Sequence, residues 1–439
     1  MARHLFGTDG IRGVAGAYPL DDTTVFAVGA ALGELVGGLD PRPEVLIGID
    51  TRASGPQLAG LIAGGLERAG VPVCFAGVIT TPAVAHLTQH GRFVAGVMIS
   101  ASHNPFQDNG IKVFAHSGFK LPDELEERIE AGMARQRTGL IQSLSMNDDP
   151  SLVQNYIEHL AACLPSPLNQ ALRVVVDCAN GAAYQIAPRL FERLGLAAEF
   201  IANRPDGRNI NLACGSLHLD LLRRRVLESG ADLGVAFDGD ADRALFISHS
   251  GRDVNGDAVL WMAARHFRAP LVVTTTMANL GLEKALAREG IGVVRTPVGD
   301  KYVLEEMLRR SAELGGEQSG HIIFCRHATT GDGLLTALKV LEVLTATGRT
   351  LDQLTDGMPV YPQTIRNIPV RARVPLEQVP NLGDAIQASE KALAGRGRIV
   401  VRYSGTEPLA RVMVEAETPE EVELHAGRLA QVISEQLGT

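Results

Sequence analysis

Three stretches of the chain repeat one pattern of apolar and polar positions. Each has a short run rich in Val, Ile and Leu, then a small or polar turn, then an amphipathic segment that ends near a glycine. The apolar runs cover residues 45–50, 174–177 and 271–275, and the amphipathic segments end at Gly70, Gly195 and Gly290. Short apolar strands that alternate with helices are typical of β-α-β units on a parallel sheet. The repeat therefore predicts three similar α/β domains with mainly parallel mixed sheets.

Each repeat also contains a second apolar strand that leads into a polar loop. The strands and their loops are 94–99 with 100–105, 233–237 with 238–243, and Leu314 with 315–321. Ligands of open parallel sheets bind at the carboxyl ends of the strands. We therefore expect the three loops to face one cleft.

The C-terminal part of the chain follows a different pattern. Residues 398–403 and 409–417 predict two strands around a loop. Thr418 and Pro419 predict the start of a helix, with Thr as the N-cap and Pro at the first helical position. This pattern predicts a small α+β domain after the three repeats. The predicted domains are 1–150, 151–253, 254–366 and 367–439.

Composition narrows the class of protein. The 439 residues are too many for one hydrophobic core, and 45% hydrophobic with 21% charged residues is typical of a soluble globular protein. The formal net charge of -9 argues against non-specific nucleic-acid binding. Five cysteines without a Cys-x-x-Cys pair indicate neither a disulfide framework nor a zinc site. Because the chain has no apolar signal segment and no long apolar run, we expect a cytoplasmic location and no membrane partner.

The loop after the second strand of the first repeat carries a candidate nucleophile, Ser102. A serine needs a neighbouring base or electrophile to react, and His103 and Lys112 are candidates for that support. The alternative is an ordinary loop in which Ser, Asn, Pro and Gly only form turns. The sequence does not decide which of His103 and Lys112 acts as the base.

The equivalent loop of the second repeat contains Asp238, Asp240 and Asp242, followed by Arg243. Alternate positions of an extended backbone project to one side, so we expect the three carboxylates to face one ion. Oxygen ligands suit Mg²⁺, Mn²⁺ or Ca²⁺ rather than zinc. The alternative is a solvated acidic loop.

Three further loops carry polar groups that suit a sugar phosphate. Residues 315–321 offer a carboxylate, an amide, a hydroxyl and an imidazole, which match the hydroxyls of a sugar. Residues 402–406 combine a guanidinium, hydroxyls and a glycine, as a phosphate cradle does. Residues 6–13 include Arg12 as a candidate phosphate contact. Glycine turns and a hairpin are the alternatives, and no Walker, Gly-x-Gly-x-x-Gly or Gly-x-Ser-x-Gly motif occurs.

These five loops together resemble the α-D-phosphohexomutase superfamily, in the order of that family and over nearly the whole chain. Residues 6–13, 99–105 and 317–321 are most similar to its glucosamine branch. The resemblance implies three α/β repeats and a phosphate-binding C-terminal domain. It also implies interconversion of glucosamine 6-phosphate and glucosamine 1-phosphate through a phosphoserine at Ser102 and glucosamine 1,6-bisphosphate. The product would feed UDP-N-acetylglucosamine and cell-wall synthesis.

The resemblance also implies a role for each candidate residue. The catalytic group is Ser102, His103, Lys112, Arg12 and Arg243. The ligands of one Mg²⁺ per chain are Ser102, Asp238, Asp240 and Asp242. The residues that bind the sugar are Glu317, Ser319 and His321. Those that bind the phosphate are Arg402, Ser404, Gly405, Thr406 and Arg411. A cation is needed because a phosphoserine carries about -1.5 to -2 charge beside three aspartates.

The expected partners are a hexosamine phosphate, with glucosamine or glucose 1,6-bisphosphate as activator, and a second copy in a homodimer. Two departures from the family pattern are Lys301, where Arg is usual, and Tyr403, where Pro or a small residue is usual. Within the same class, a phosphomannomutase or phosphoglucomutase is the alternative. From other classes, a non-catalytic sugar-phosphate-binding regulator and a phosphatase stay open.

Overall fold

A computed structural model describes residues 5–7, 9–136, 140–404 and 408–438. The chain forms two compact units. The first unit comprises residues 1–275 and 294–356, and the second comprises 276–293 and 357–439. Along the part of the chain that is described, no helix is long and apolar enough to cross a membrane.

The first unit begins with a five-stranded sheet in the order β1-β5-β4-β2-β3. Its strands are β1 (Ile11–Val14), β2 (Val45–Ile49), β3 (Val73–Val78), β4 (Ala95–Ile99) and β5 (Asp108–Ala115). The helices of this part are α1 (Asp22–Val36), α2 (Gly55–Arg68), α3 (Thr81–His90) and α4 (Asp123–Gln136). Every residue of β2 and β4 is buried, as expected for central strands covered on both faces.

A second sheet follows, in the order β10-β9-β8-β6-β7. Its strands are β6 (Arg173–Asp177), β7 (Ala197–Ile201), β8 (Leu233–Phe237), β9 (Ala244–Ser248) and β10 (Asp253–Val254). The helices of this part are α5 (Pro150–Ala162), α6 (Ala183–Arg193) and α7 (Asp220–Ser229), with a 3-10 turn at Gly215–Leu217. The buried strand β8 leads directly into the three aspartates.

A third sheet has the order β12-β11-β13-β14. Its strands are β11 (Leu271–Thr275), β12 (Gly292–Thr296), β13 (Leu314–Gly316) and β14 (Ile322–Phe324). The helices of this part are α8 (Gly256–His266), α9 (Leu280–Arg288), α10 (Asp300–Arg310), α11 (Gly333–Thr347) and α12 (Leu351–Thr355).

The three sheets share one strand order. In each sheet, the first apolar strand of the repeat (β2, β6 or β11) lies beside the second (β4, β8 or β13). The second strand pairs antiparallel with the strand that follows it: β4 with β5, β8 with β9, and β13 with β14. The predicted fold class, three similar α/β domains with mixed sheets, is confirmed. The loop that follows the second strand of each repeat is therefore the connection between two antiparallel neighbours.

The second unit contains a three-stranded antiparallel sheet in the order β15-β17-β16. Its strands are β15 (Gln363–Pro369), β16 (Arg398–Tyr403) and β17 (Leu409–Glu415), and its C-terminal helices are α13 (Leu382–Leu393) and α14 (Pro419–Leu437), with a 3-10 turn at Leu376–Gln378. Thr418 caps α14 by accepting a hydrogen bond from the backbone N–H of Glu421, as the sequence predicts.

The predicted domain boundaries stay predictions, and two features of the structure bear on them. The boundaries at 253/254 and 366/367 each fall inside a strand, β10 and β15. Residues 276–293, which the sequence assigns to the third repeat, belong to the second unit. Arg398 of the second unit donates to the carbonyl oxygens of Thr276 and Ala278 at 2.7 and 2.8 Å. These contacts join residues far apart in sequence and leave no local pattern.

Candidate active site

Ser102 lies in the connection between β4 and β5, where it is buried and has a left-handed backbone conformation with φ 53°. Its backbone N–H donates to Oγ of Ser100 at 2.9 Å, and Ser100 Oγ donates to Oδ2 of Asp50 at 2.7 Å. A left-handed conformation is unfavourable for serine unless neighbouring contacts hold it. The loop is therefore a constrained platform rather than a relaxed turn.

Arg52 supplies most of that constraint. Its side chain is fully buried, and Nε donates to Oδ2 of Asp50 at 2.9 Å. The guanidinium also donates to the carbonyl oxygens of Ser102 and Asn104, each at 2.9 Å. Five donors in one rigid fork allow Arg52 to hold several turns of the loop together. Burial raises the pKa of Asp50, although Arg52 opposes that effect.

The three aspartates are brought together by a turn, and the expected extended backbone is wrong. Ala241 has a left-handed φ of 55°. In an extended strand, Asp238 and Asp242 would lie about 13 Å apart, which is too far for one ion. In the turn, one carboxylate oxygen from each of Asp238, Asp240 and Asp242 lies within 4.8 Å of the others, and all three residues are buried. The predicted convergence of these residues is observed, for a different geometric reason.

Ser102 lies directly against this cluster. Its Oγ donates to Oδ2 of Asp238 at 2.5 Å, and Nδ1 of His103 is 3.2 Å from the same Oγ. Gly239 permits this approach, because a Cβ there would lie 2.5 Å from the carbonyl oxygen of Ser102. The loops of the first and second repeats therefore meet at the candidate nucleophile.

Lys112 projects from β5 into the same place. Its Nζ lies 2.9 Å from Oδ2 of Asp240, 3.5 Å from Oδ2 of Asp242 and 3.3 Å from Oδ2 of Asp9. Burial would lower the pKa of this ammonium, but Asp240, Asp9 and Asp242 outweigh burial and raise it. Lys112 is therefore a buried cation that holds carboxylates together.

The carboxylates have opposite pKa shifts. Burial, followed by the charges of Asp242 and Asp240, raises the pKa of Asp238 well above its usual range. Burial acts in the same direction on Asp242, but Lys112 and His321 outweigh it and hold its pKa well below the usual value. Lys112 alone therefore does not satisfy the cluster, and Asp238 favours a further cation or a proton.

The donor set fits a hard divalent cation. Oδ1 of Asp240 is buried and has no hydrogen-bond partner within the described ranges, whereas Oδ1 of Asp242 has His321 Nδ1 at 3.6 Å and Arg243 Nε at 3.7 Å. Buried carboxylate oxygens without partners are costly unless a cation or proton binds them. Oxygen ligands alone match Mg²⁺. The residues present therefore fit the predicted Mg²⁺ site.

Two arginines flank the cluster. The backbone N–H of Arg243 donates to Oδ1 of Asp238 at 3.1 Å, and its Nε lies 3.9 Å from Oδ2 of Asp238 and 3.7 Å from Oδ1 of Asp242. Arg12 donates to Oδ2 of Asp9 and to the carbonyl oxygen of Ala101. After burial, the charges of Arg243 and Arg12 lower the pKa of His103 to about 4. These arginines place positive charge where an anion would bind.

The loop of the third repeat reaches the same cluster. The backbone N–H of Ala244 donates to the carbonyl oxygen of Gly320 at 3.1 Å, and Nδ1 of His321 is 3.6 Å from Oδ1 of Asp242. Ser319 Oγ donates to Oε2 of Glu317 at 3.3 Å. The three predicted loops therefore converge.

In the second unit, Arg402 and Arg411 are directly opposite each other on β16 and β17. With Met277, Ile365 and Asn367 they line a cavity of about 290 Å³. Burial and then the charge of Arg411 lower the pKa of Arg402. Two guanidinium groups side by side favour an anion between them. Ser404 is buried, whereas Gly405 and Thr406 lie outside the described residues.

The two departures from the family pattern both make polar contacts. Lys301 forms an ion pair with Asp123 within the first unit. Tyr403 donates through its hydroxyl to the carbonyl oxygen of Val374 at 2.6 Å in the second unit. Both side chains therefore have structural partners.

Sequence reasoning missed four residues that complete the site. Asp9 forms ion pairs with both Lys112 and Lys120. Nζ of Lys120 is 2.5 Å from Oδ1 of Asp9 and 2.6 Å from Oδ2 of Asp300. Thr81 donates through Oγ1 to Oδ2 of Asp240 at 2.6 Å. Asp9 stands three residues before Arg12 within residues 6–13, so its charge is a usable signal in the sequence. Thr81, Lys120 and Arg52 had no such signal.

Comparison with known proteins places this chain among enzymes of one kind. Models of phosphoglucomutase/phosphomannomutase match its α/β/α domain I at residues 3–139, domain II at 154–251, domain III at 255–361 and the C-terminal domain at 365–432. A protein of Solibacter usitatus named phosphoglucosamine mutase is 53% identical over 446 residues, which cover 100% of both chains.

Solved structures show the same fold. A phosphoglucomutase/phosphomannomutase family protein from Burkholderia thailandensis has a TM-score of 0.81 at 24% identity, covering 98% of this chain and 99% of that one. The Aspergillus fumigatus N-acetylphosphoglucosamine mutase, solved with GlcNAc-6P and magnesium, has a TM-score of 0.66 at 20% identity, covering 99% and 96%.

Proposed function

The chain belongs to the phosphoglucomutase/phosphomannomutase family, and from that premise we propose that it interconverts glucosamine 6-phosphate and glucosamine 1-phosphate. The full-length relative named phosphoglucosamine mutase supports glucosamine as the sugar. The reaction class is isomerisation by phosphoryl transfer. Glucosamine 1,6-bisphosphate is the intermediate.

One observation carries the proposal: Ser102 Oγ lies 2.5 Å from Oδ2 of Asp238, inside a buried cluster of three carboxylates. A hydroxyl in that position suits a residue that carries a phosphoryl group beside a bound cation.

Asp238, Asp240, Asp242 and a phosphoryl oxygen on Ser102 would hold Mg²⁺. When bound, Mg²⁺ offsets the negative charge and polarises the phosphoryl group as a Lewis acid. Arg243 and Arg12 add positive charge at the same place.

In the first half-reaction, the bond between phosphorus and Ser102 Oγ breaks and a bond to the sugar hydroxyl oxygen forms. The proton of that hydroxyl ends on Ser102 Oγ. His103 Nδ1, 3.2 Å from Oγ, is placed to pass it on. Lys112 is engaged by three carboxylates, which supports a role in holding charge rather than in proton transfer. The second half-reaction returns the other phosphate to Ser102.

Both half-reactions need the sugar to be held in two orientations. We assign its hydroxyls to Glu317, Ser319 and His321. The non-reacting phosphate is assigned to the second unit, where the cross-strand pair of arginines supports an anion site. The residues for that role are Arg402, Ser404, Gly405, Thr406 and Arg411. Glucosamine or glucose 1,6-bisphosphate would act as activator by phosphorylating Ser102 when its hydroxyl carries no phosphate. The homodimer and the cytoplasmic location stay predictions.

The test is phosphopeptide mass spectrometry of the purified protein together with turnover of glucosamine, glucose and mannose phosphates. We expect phosphate on Ser102, and a loss of at least about 10³-fold in turnover for Ser102→Ala. Ser117→Ala, at an exposed position in the same domain, is the matched control. Full activity of Ser102→Ala would refute the assignment of Ser102 as the nucleophile. Faster turnover of glucose 1-phosphate than of glucosamine 1-phosphate would refute the sugar, and accumulation of free phosphate would indicate a phosphatase.

A further inference from the structure

Two neighbouring helices of the first unit each carry a pair of metal-ligating side chains one helical turn apart. Helix α3 carries His86 and His90, and helix α5 carries His159, with Cys163 as its C-cap residue. Residues four apart lie on the same face of a helix. Imidazole and thiolate groups are the ligands that zinc prefers in proteins. None of these side chains has a role in the mechanism above.

The two pairs contact each other. The ring centroids of His86 and His159 are 3.7 Å apart, and those of His86 and His90 are 4.4 Å apart. Sγ of Cys163 is 3.7 Å from Nε2 of His159. Ligand atoms of a tetrahedral zinc site are separated by about 3.5 Å, given typical Zn–S and Zn–N bond lengths. The four residues thus form a continuous cluster, in the order His90, His86, His159, Cys163.

The protonation states suit a metal site. Nδ1 of His90 is 3.1 Å from the carbonyl oxygen of His86, so it carries the hydrogen and leaves Nε2 with a lone pair. Burial and the rings of His159 and His90 lower the pKa of His86 to about 3, and burial lowers that of His159. The lowered pKa values of His86 and His159 favour the neutral form that metal ligation needs. His90 is exposed and leaves the cluster open to solvent.

We propose that His86, His90, His159 and Cys163 form a second cation site, which binds Zn²⁺ and is distinct in chemistry from the oxygen-only Mg²⁺ site. The rings now stack face to face, and among the described residues only the three aspartates have ligand atoms that converge as they stand. Binding therefore turns the rings of His86 and His159 so that one nitrogen of each meets the ion.

Binding also releases a proton. Burial and the charge of Asp332 raise the pKa of the Cys163 thiol to about 11. At neutral pH the S–H bond breaks as the Zn–S bond forms, and the proton leaves to solvent.

The test is titration of the full-length, Mg²⁺-saturated protein with Zn²⁺ against a chromophoric chelator. We expect one Zn²⁺ per chain, with the affinity weakened about 100-fold in His159→Ala and in His90→Ala. His90 is exposed at the end of its helix, so that variant keeps the fold. Its mutase activity in Mg²⁺ should be unchanged. His218→Ala, at another exposed histidine, is the matched control and should bind Zn²⁺ as the natural protein does.

A spectroscopic readout separates this site from the aspartates. Co²⁺ bound by Cys163 gives thiolate-to-metal charge-transfer absorption, which an oxygen-only site lacks, and Cys163→Ser should abolish it. Wild-type Zn²⁺ affinity in either His90→Ala or His159→Ala would overturn the four-residue assignment. If excess Mg²⁺ displaces all of the bound Zn²⁺, the stacked rings serve packing only, and the proposal is overturned.

Discussion

At the scale of single residues, the position of Ser102 determines the chemistry. Its hydroxyl contacts two different groups, Asp238 at 2.5 Å and His103 at 3.2 Å. A carboxylate associated with a cation activates the phosphoryl group, whereas an imidazole can accept or donate the proton of the oxygen. One side chain thus connects the metal loop with a proton carrier.

We predict that His103→Ala lowers kcat by about 10²–10⁴-fold, the usual contribution of one positioned acid–base group. KM should change little, because His103 is assigned to the proton and not to the sugar. Steady-state kinetics with glucosamine 1-phosphate checks the result, with His218→Ala as control. An unchanged kcat would mean that another group carries the proton, and Lys112 would be the first candidate.

At the scale of elements, the loop between β4 and β5 keeps its shape because of Arg52. This buried guanidinium comes from the segment after β2, which is central in the sheet. Its bonds to the carbonyl oxygens of Ser102 and Asn104 connect two strand ends. Arg52 therefore connects the carboxyl end of β2 to the loop after β4, where the nucleophile must be placed.

Arg52→Met should lower the free energy of unfolding by about 3–5 kcal/mol, because it leaves Asp50 as a buried charge without its partner. Urea denaturation measures the loss. The matched control is Arg92→Met, which breaks an exposed pair with Glu44 in the same domain and should cost no more than about 1 kcal/mol. Equal effects of the two substitutions would contradict a scaffolding role for Arg52.

A second link between elements is sensitive to pH. Tyr156 on α5 donates to Oδ2 of Asp332 at 2.7 Å, and Oδ1 of Asp332 accepts from the backbone N–H of Leu335 at the start of α11. Burial raises the pKa of Asp332 to about 6, from 3.8 for the ordinary group. A raised pKa means that the contribution of Asp332 to stability is complete below about pH 3.8 and is lost as pH rises through about 6.

We predict that Tyr156→Phe lowers the free energy of unfolding by about 1–3 kcal/mol at pH 8. The loss should be smaller at pH 5, where Asp332 is protonated and its charge no longer needs the hydroxyl. Urea unfolding at both pH values measures the difference, and Tyr302→Phe, at an exposed tyrosine, serves as control. A loss that is the same at both pH values would contradict the titration of Asp332.

At the scale of the first unit, three copies of one strand order bring three loops to one place. Ser102 comes from the first repeat, the aspartates from the second and His321 from the third. Lys120 adds a connection from the first repeat to Asp300 of the third. The site is therefore complete only when all three repeats are folded together.

Removal of divalent cations tests this arrangement. We expect EDTA to abolish turnover and Mg²⁺ to restore it. Mg²⁺ should also raise Tm, because the carboxylates repel one another without a cation and an ion that binds only the folded state stabilises it. Activity and thermal unfolding across a Mg²⁺ titration provide both readouts. Turnover that persists in chelator would contradict the assignment of the aspartates.

Local sequence was enough to predict the repeated strands and the polar loops that follow them. The apolar runs of β2, β6, β8 and β11 are visible because burial on both faces of a sheet demands continuous apolar residues. The cap at Thr418 is visible because its hydrogen bond spans only three residues. Motif residues such as Asp238 and Ser102 are recognised by their chemical type and spacing.

Other features depended on contacts between residues distant in the chain. No periodic pattern in the sequence predicts them, because the identity of one partner does not fix that of the other. These features are the turn at Ala241, the bonds of Arg52, the two bonds of Lys120 and the contact of His86 with His159. Which carboxylate has a raised pKa was decided in the same way, by burial and by the charges that folding brings beside it. A chain therefore encodes its strands and reactive groups within a few residues, whereas the electrostatics of its site arise only from packing.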